Sequence, residues 1–301
     1  MLNKAIIGID LGGTKLRIGR IEAGNITKNY SINISSQAGE DIIIGELIHA
    51  IEQVFDNDIA GIGIGVPSLV DVEEGIVYNV PNIPSWEKVY LKDIVEENFN
   101  KPVYVNNDAN CFAVGEKYYG KGKPFKNMVG LTLGTGMGAG IIINNSLYSG
   151  NNCGAGEFGS ILYKEHIFEY YCSGPFFRDE FGIEGHLLSA NAEQGDKESL
   201  KIYEQYGVHL GNAINTILFA LDPEAIILGG SISQSYRYFK KTMWEQINTF
   251  PYKHTLHNLF IDRTEQPHIA LLGAAALFLN AENDQQKSVA DSKVITVTNS
   301  N

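Results

Sequence analysis

The sequence predicts an α/β fold built from two related halves with a cleft between them. Two observations carry this. The chain has 301 residues, a length that suits about two domains. And twice, at Ala5 and again at Met128, a short apolar strand enters a glycine turn and returns as a second strand. Each opening is followed by helices and buried strands, the pattern of a duplicated α/β unit.

The elements follow in order. Ala5 to Ile9 is apolar, Asp10-Leu11-Gly12-Gly13-Thr14-Lys15 turns, and Leu16 to Ile21 alternates as a strand. Asn25 to Ile34 alternates again. Ile42, Ile43, Leu47, Ile48, Ile51 and Val54 stand at helical spacing within Asp41 to Phe55. Ile59 to Val66 reads as a buried strand, Val89 to Phe99 as a helix, Pro102 to Asn106 as a strand, and Asp108 to Tyr119 as a helix. The second half repeats the opening. Met128 to Leu133 is a strand, Gly134 to Gly140 a glycine-rich turn, and Ile141 to Asn144 the return. A long helix over Lys197 to Leu221 ends before Pro223, Ala225 to Leu228 is a strand, and a helix opens near Ser231. Gly120 to Pro124 reads as the hinge between halves. The expected division is 1–118, with part of 277–301 packing back onto it, and a larger 119–276. The polar tail, 283–301, reads as surface or disordered chain, with Ile295 to Thr298 a candidate short strand.

Charge narrows the function. Lys and Arg number 23 against 35 Asp and Glu, a net charge of −12. Nucleic-acid binding needs clustered cations, and anionic lipid repels such a surface. A small anion held by backbone N–H groups and a metal remains compatible. Three cysteines, an odd number at unpaired spacing, argue against a disulfide framework. The N-terminus runs directly into a strand without a signal-peptide core, and no apolar run reaches the ~18 residues of a membrane span. A cytoplasmic protein is expected.

Glycine is in excess, 32 residues or about 11% against about 7% usual. At Gly12 and Gly13 a missing Cβ lets backbone N–H groups approach an anion; Thr14 adds a hydroxyl, Lys15 a cation, and Asp10 a carboxylate suited to Mg²⁺ through waters. A plain hairpin is the other reading of this turn. Gly134-Thr135-Gly136-Met137-Gly138 is a second candidate phosphate turn, because so many glycines are unfavourable in an ordinary hairpin. Gly229-Gly230-Ser231 suits the sugar or base of a nucleotide, or else tight strand–helix packing. Neither turn has the P-loop spacing. Asp108 follows a strand and begins a helix, so it reads either as an N-cap or as a general base at the mouth of the cleft. Glu157, in Gly154-Ala155-Gly156-Glu157-Phe158-Gly159-Ser160, and Glu169 are candidate acceptors for sugar hydroxyls, or solvated surface acids.

Taken together these stretches resemble the ROK family of repressors, open reading frames and sugar kinases, within the actin-like ATPase (ribonuclease H-like) superfamily. The resemblance runs from about Ile6 to Ala276. It rests on Asp10 to Lys15, Asn107-Asp108-Ala109, Leu133 to Gly136, Ala155-Gly156-Glu157 and Leu228 to Ser231. Gly65-Val66-Pro67 with Asp71, and Val80-Pro81-Asn82 before Trp86, match its sugar-side loops. The resemblance implies ATP- and Mg²⁺-dependent phosphorylation of a hexose hydroxyl, most often the 6-hydroxyl, with Asp108 as catalytic base. It puts Asn82, Asn107, Glu157 and Glu169 at sugar contacts, with Ser160 in place of the family's histidine. Gly12, Gly13, Thr14, Lys15 and Gly134, Thr135, Gly136 and Gly138 fall on the phosphates, Gly229, Gly230 and Ser231 on the adenosine, and Asp10 beside Mg²⁺. A homodimer is implied too.

The chain departs from the family at its zinc site. With Ser160 for histidine, only His166 and Cys172 remain near Tyr163 to Gly174, too few for tetrahedral zinc; no zinc is expected. The family's regulators place a helix-turn-helix ahead of the kinase-like part, whereas here the first phosphate turn begins at Asp10. A sensor without catalysis is the other alternative, and Asp108 with both phosphate turns weighs against it.

Overall fold

The computed structural model describes residues 4–151 and 153–298. Strands β1 (Ala5–Leu11), β2 (Lys15–Glu22) and β3 (Asn25–Asn33) pair antiparallel. Helix α1 (Glu40–Glu52) leads to β4 (Ile59–Val66), parallel to β1. A small sheet of β5 (Leu69–Asp71), β6 (Ile76–Tyr78) and β7 (Lys88–Val89) intervenes. Then come α2 (Leu91–Phe99), β8 (Val103–Asn107) and α3 (Asp108–Tyr118). The sheet order is β3-β2-β1-β4-β8.

The second half repeats this plan. Strands β9 (Met128–Leu133), β10 (Met137–Ile143) and β11 (Ser146–Tyr148) pair antiparallel. An inserted segment follows: the hairpin β12 (Leu162–Tyr163) and β13 (His166–Ile167), then α4 (Phe168–Cys172), α5 (Gly174–Phe181) and α6 (Gly185–Glu193). Helix α7 (Lys197–Leu221) precedes β14 (Ala225–Gly229), α8 (Tyr236–Ile247), α9 (Lys253–Asn258), β15 (Phe260–Arg263) and α10 (Ile269–Thr298). The sheet order is β11-β10-β9-β14-β15, with β14 parallel to both neighbours. Two equivalent five-stranded sheets in one chain make the duplicated ribonuclease H-like fold of the actin-like ATPases.

The last helix of each half packs against the sheet of the other. Helix α10 lies on β1 and β4, α3 lies on β9 and β10, and the two helices touch. Glycine makes this approach possible. A Cβ on Gly63 of β4 would fall 1.8 Å from the Ala274 carbonyl oxygen, and one on Gly140 of β10 would fall 2.6 Å from that of Ala109. Strand glycine is ordinarily unfavourable; here it admits a helix backbone. Much of the glycine excess therefore serves the fold rather than the turns.

Four expectations need correction. Strand β10 already begins at Met137, so Gly138 and Gly140 pair with Thr132 and Gly130 and the glycine turn is shorter. Val89 ends β7 and α2 starts at Leu91. Ser231 opens a short 3₁₀ turn, Ile232–Ser235, before α8. And the polar tail is helical through Thr298, neither strand nor irregular chain. It has no Gly or Pro between Ala281 and Thr298, and extending a packed helix adds one hydrogen bond per residue fixed. Residues 299–301 lie outside the described residues. Among the described residues no helix is long and apolar enough to cross a membrane.

Candidate active site

The site is built where chain leaves the parallel strands. Asn107 ends β8 and its side-chain oxygen accepts a 2.9 Å hydrogen bond from Ala109 N–H. Asn107 is thus the N-cap of α3, and Asp108 sits inside the first turn. Its Oδ1 also accepts from Ala109 N–H, at 2.8 Å. The Asp108 carboxylate faces open cleft space, but the walls of both lobes enclose that space, so it is reachable by a ligand yet poorly hydrated. Desolvation pushes its pKa up to about 6, the Asp10 and Glu157 charges add to the push, and the Ala109 N–H opposes it.

A cavity of about 610 Å³ surrounds this group. One wall carries Gly12 and Gly13, the other Gly134, Thr135, Gly136 and Gly138, with Asn82, Asn107, Glu157, Glu169 and Gly230 between them. Gly13 lies under Asn82, where a Cβ would come within 2.9 Å of the amide side chain. Asn82 itself has φ 66°, a left-handed conformation asparagine tolerates. The sugar-side loops contribute Pro67 and Pro81 to the same lining. Asp71 instead closes its own turn, accepting from Glu74 N–H at 3.1 Å, and Trp86 is buried.

Glu169 reaches back to the second glycine turn, where one carboxylate oxygen accepts from Met137 N–H at 3.0 Å. Gly136 leaves room for it: a Cβ there would stand 2.6 Å from that carboxylate. Gly230 has φ 80° and would drive a Cβ to 2.2 Å from the Leu133 carbonyl oxygen. Gly229, by contrast, is buried strand whose missing Cβ admits the Phe112 ring of α3, so at this position the packing alternative describes the structure.

Several predicted residues stand off the cavity lining. Thr14 and Lys15 are exposed beyond it, and Ser160 is exposed on the 3₁₀ turn Phe158–Ser160. Asp10 also lies outside the lining, its Oδ2 accepting from Arg17 Nη1 at 2.9 Å. Its Oδ1 has no partner among the described residues. That one carboxylate oxygen fits a Mg²⁺ ion that keeps most of its waters, since it can fill at most one position of an octahedral ion, directly or through a water.

Sequence reasoning missed Arg17 and a second cavity. The latter, about 690 Å³, shares Gly134 and Thr135 with the first and is lined also by Ser231, Phe177, Ser189 and Tyr203. It is walled by α5 and α6, short helices with no motif to mark them. The segment around His166 and Cys172 is filled by rings. Tyr163 stacks on Phe168 at 4.4 Å and His166 on Tyr170 at 4.1 Å. The Tyr163 hydroxyl stands 3.2 Å from His209 Nδ1. Burial holds His209 down to about 4, with Lys164 adding to the effect, and pushes the Cys172 thiol well up. Among the described residues no three His, Cys, Asp or Glu side chains group so as to hold a metal ion.

Comparison with known proteins bears on the family and the fold. The sequence model of the ROK family matches residues 6–281. A glucokinase of Thermotoga maritima is 31% identical over 76% of this chain and 83% of its own. The xylose repressor of Bacillus subtilis is 31% identical over 72% of this chain and 61% of its own. Among solved structures, a ROK family glucokinase from Streptomyces griseus in complex with glucose and AMPPNP superposes with a TM-score of 0.74 and 27% identity, over 91% of this chain and 98% of that one.

Proposed function

Since the chain belongs to the ROK family, we propose that it is an ATP-dependent hexose kinase with Asp108 as its general base. One observation carries the reading: Asp108 shares a single cavity with both glycine turns and with Asn82, Asn107, Glu157 and Glu169. In this mechanism a sugar hydroxyl, that at C6 of glucose or a related hexose or N-acetylhexosamine, attacks the γ-phosphorus in line. Its proton passes to the Asp108 carboxylate as the bond to the ADP oxygen breaks. A base of pKa about 6 is mostly ionised at neutral pH and still close enough to it to take a proton.

The other residues bind and orient. Asn82, Asn107, Glu157 and Glu169 would take the sugar hydroxyls, and the N–H groups of the two turns the phosphates. The nucleoside would lie in the second cavity beside Ser231. Asp10 would hold a Mg²⁺ ion through waters, and such an ion, when bound with ATP, would neutralise charge on the phosphates. The assembly is read as a homodimer by family resemblance.

Relatives named as repressors make a ligand-responsive protein without catalysis the second reading. The test is ADP release from purified protein with Mg·ATP and a panel of hexoses and N-acetylated amino sugars. Release with one sugar class supports the kinase; silence across the panel, with sugar binding intact, moves the function to the sensor.

A further inference from the structure

The loop that carries Glu157 belongs to the second half but docks on the first. It leaves β11, is closed by a 3.2 Å hydrogen bond from Ala155 N–H to the Ser149 carbonyl oxygen, and rests on β10 at Gly156. Gly156 has φ 99°, and a Cβ there would stand 2.2 Å from the Ala139 carbonyl oxygen. The tip of the loop reaches the other half. Cys153 is 5% exposed and, among the described residues, is the one residue beyond Val105 packed into the hydrophobic core of the first half.

Asn106, 3% exposed near the end of β8, receives this tip. Its Oδ1 accepts from Asn107 N–H at 2.8 Å, which fixes that atom as the oxygen of the amide. The same oxygen accepts from Asn110 Nδ2 at 2.8 Å and from the Cys153 thiol at 3.2 Å, and Asn106 Nδ2 donates to Ser149 Oγ at 3.4 Å. The sulfur accepts in turn from Asn110 Nδ2 at 3.4 Å and from the Asn107 and Val70 N–H groups. One buried amide therefore holds two points of the loop, Ser149 and Cys153, to the turn where Asp108 begins α3. Asp108 follows Asn106 by two residues and Glu157 follows Cys153 by four, and both carboxylates line the first cavity.

We propose that Asn106 is a positioning residue: it docks the Glu157 loop against the Asp108 turn, so that the sugar contact of one half and the base of the other are in register before sugar arrives. The proposal rests on reading Asp108 as the base and Glu157 as a sugar contact. A loop held only by its own turn would have to be ordered as sugar binds, and the lost entropy would weaken the affinity. Here burial orders it in advance. Amide and thiol lie away from water, where a hydrogen bond is strong when made and costly when unmade. Because the loop is fixed to the second half at Gly156 and to the first at Cys153, it also ties the placement of the sugar to the relative position of the halves.

The test pairs thiol labelling with binding. Wild type and Asn106→Ala are pulsed with N-ethylmaleimide, and the three cysteines are followed by peptide mass spectrometry. Cys111 and Cys172, 1% and 0% exposed, report global opening. Cys153 alone should label about fivefold faster in Asn106→Ala, and saturating sugar should slow it again. Calorimetry with glucose, mannose, fructose, N-acetylglucosamine and N-acetylmannosamine should find sugar bound about fivefold more weakly by Asn106→Ala, and also by Cys153→Ala, which spares the Asp108 turn. A non-hydrolysable ATP analogue should keep its affinity for both variants. Wild-type labelling and sugar affinity in Asn106→Ala, or all three thiols rising together there with sugar affinity unchanged in Cys153→Ala, would overturn the positioning role and leave the kinase reading standing. A wild type that binds none of these sugars would overturn both.

Discussion

Arg17 and Asp10 face each other across the β1–β2 pairing and meet at 2.9 Å, so the carboxylate that ends β1 at the first glycine turn already carries a counter-charge. This matters for Asp108, whose pKa the Asp10 charge helps to raise. Arg17→Ala removes the compensation and should push Asp108 further up. A base must be ionised to act, so the acid limb of kcat/KM should move to higher pH. The shift should be small, because Arg17 is half exposed and solvent screens it. A limb that stays in place or moves to lower pH would count against the coupling.

Asp108→Asn separates catalysis from stability. It should lower kcat by at least about a hundredfold, the typical worth of a general base, while sugar binding persists. Its stability effect has a definite sign. The folded-state pKa, about 6, lies above the ordinary 3.8. The group's stabilising contribution is therefore full below 3.8 and lost as pH rises through 6. At pH 7 to 8 the ionised carboxylate destabilises the fold, so Asp108→Asn should melt at a higher Tm there, with the gain fading toward pH 4. Thermal melts across this range check both sign and window.

Gly230→Ala should destabilise the second half. The position needs φ 80° and has the Leu133 carbonyl oxygen 2.2 Å from a new Cβ, and backbone on both sides cannot yield cheaply. A loss of about 2–4 kcal/mol is expected from strain and overpacking together. Gly154→Ala, where a Cβ meets nothing within 4 Å, should stay within about 0.5 kcal/mol. Urea denaturation of the pair decides; equal midpoints would refute the argument.

His209 sets an acid limit to stability. Burial holds it neutral, with a folded-state pKa of about 4 against an ordinary 6.5. Its contribution is full above 6.5 and is lost as pH falls from there toward 4. His209→Gln should flatten the pH dependence of Tm across that window, apart from its effect on packing. An unchanged slope would mean that other groups carry the acid transition.

Part of the site was legible because it is written locally. Asp10 to Lys15, Gly134 to Gly138 and Asn107-Asp108 are turn and cap signals that act within a few residues. The helical and alternating patterns around them depend only on periodicity. The same locality explains the errors at Gly138, Val89 and the tail, where a local signal was overruled by strand pairing or by an already packed helix.

The sequence by itself determined the two related halves, the glycine turns and the candidate base, because backbone dihedrals and side-chain periodicity are properties of neighbouring residues. Only the tertiary structure decided who meets whom. It placed Asp10 on Arg17, brought Glu169 back to Met137, made Asn107 rather than Asp108 the cap, laid α3 and α10 on each other's sheets, and lined up Tyr203, Ser235 and Ser189 behind the second cavity. These contacts arise from close packing of distant segments, which follows shape and burial and leaves no fixed spacing along the chain.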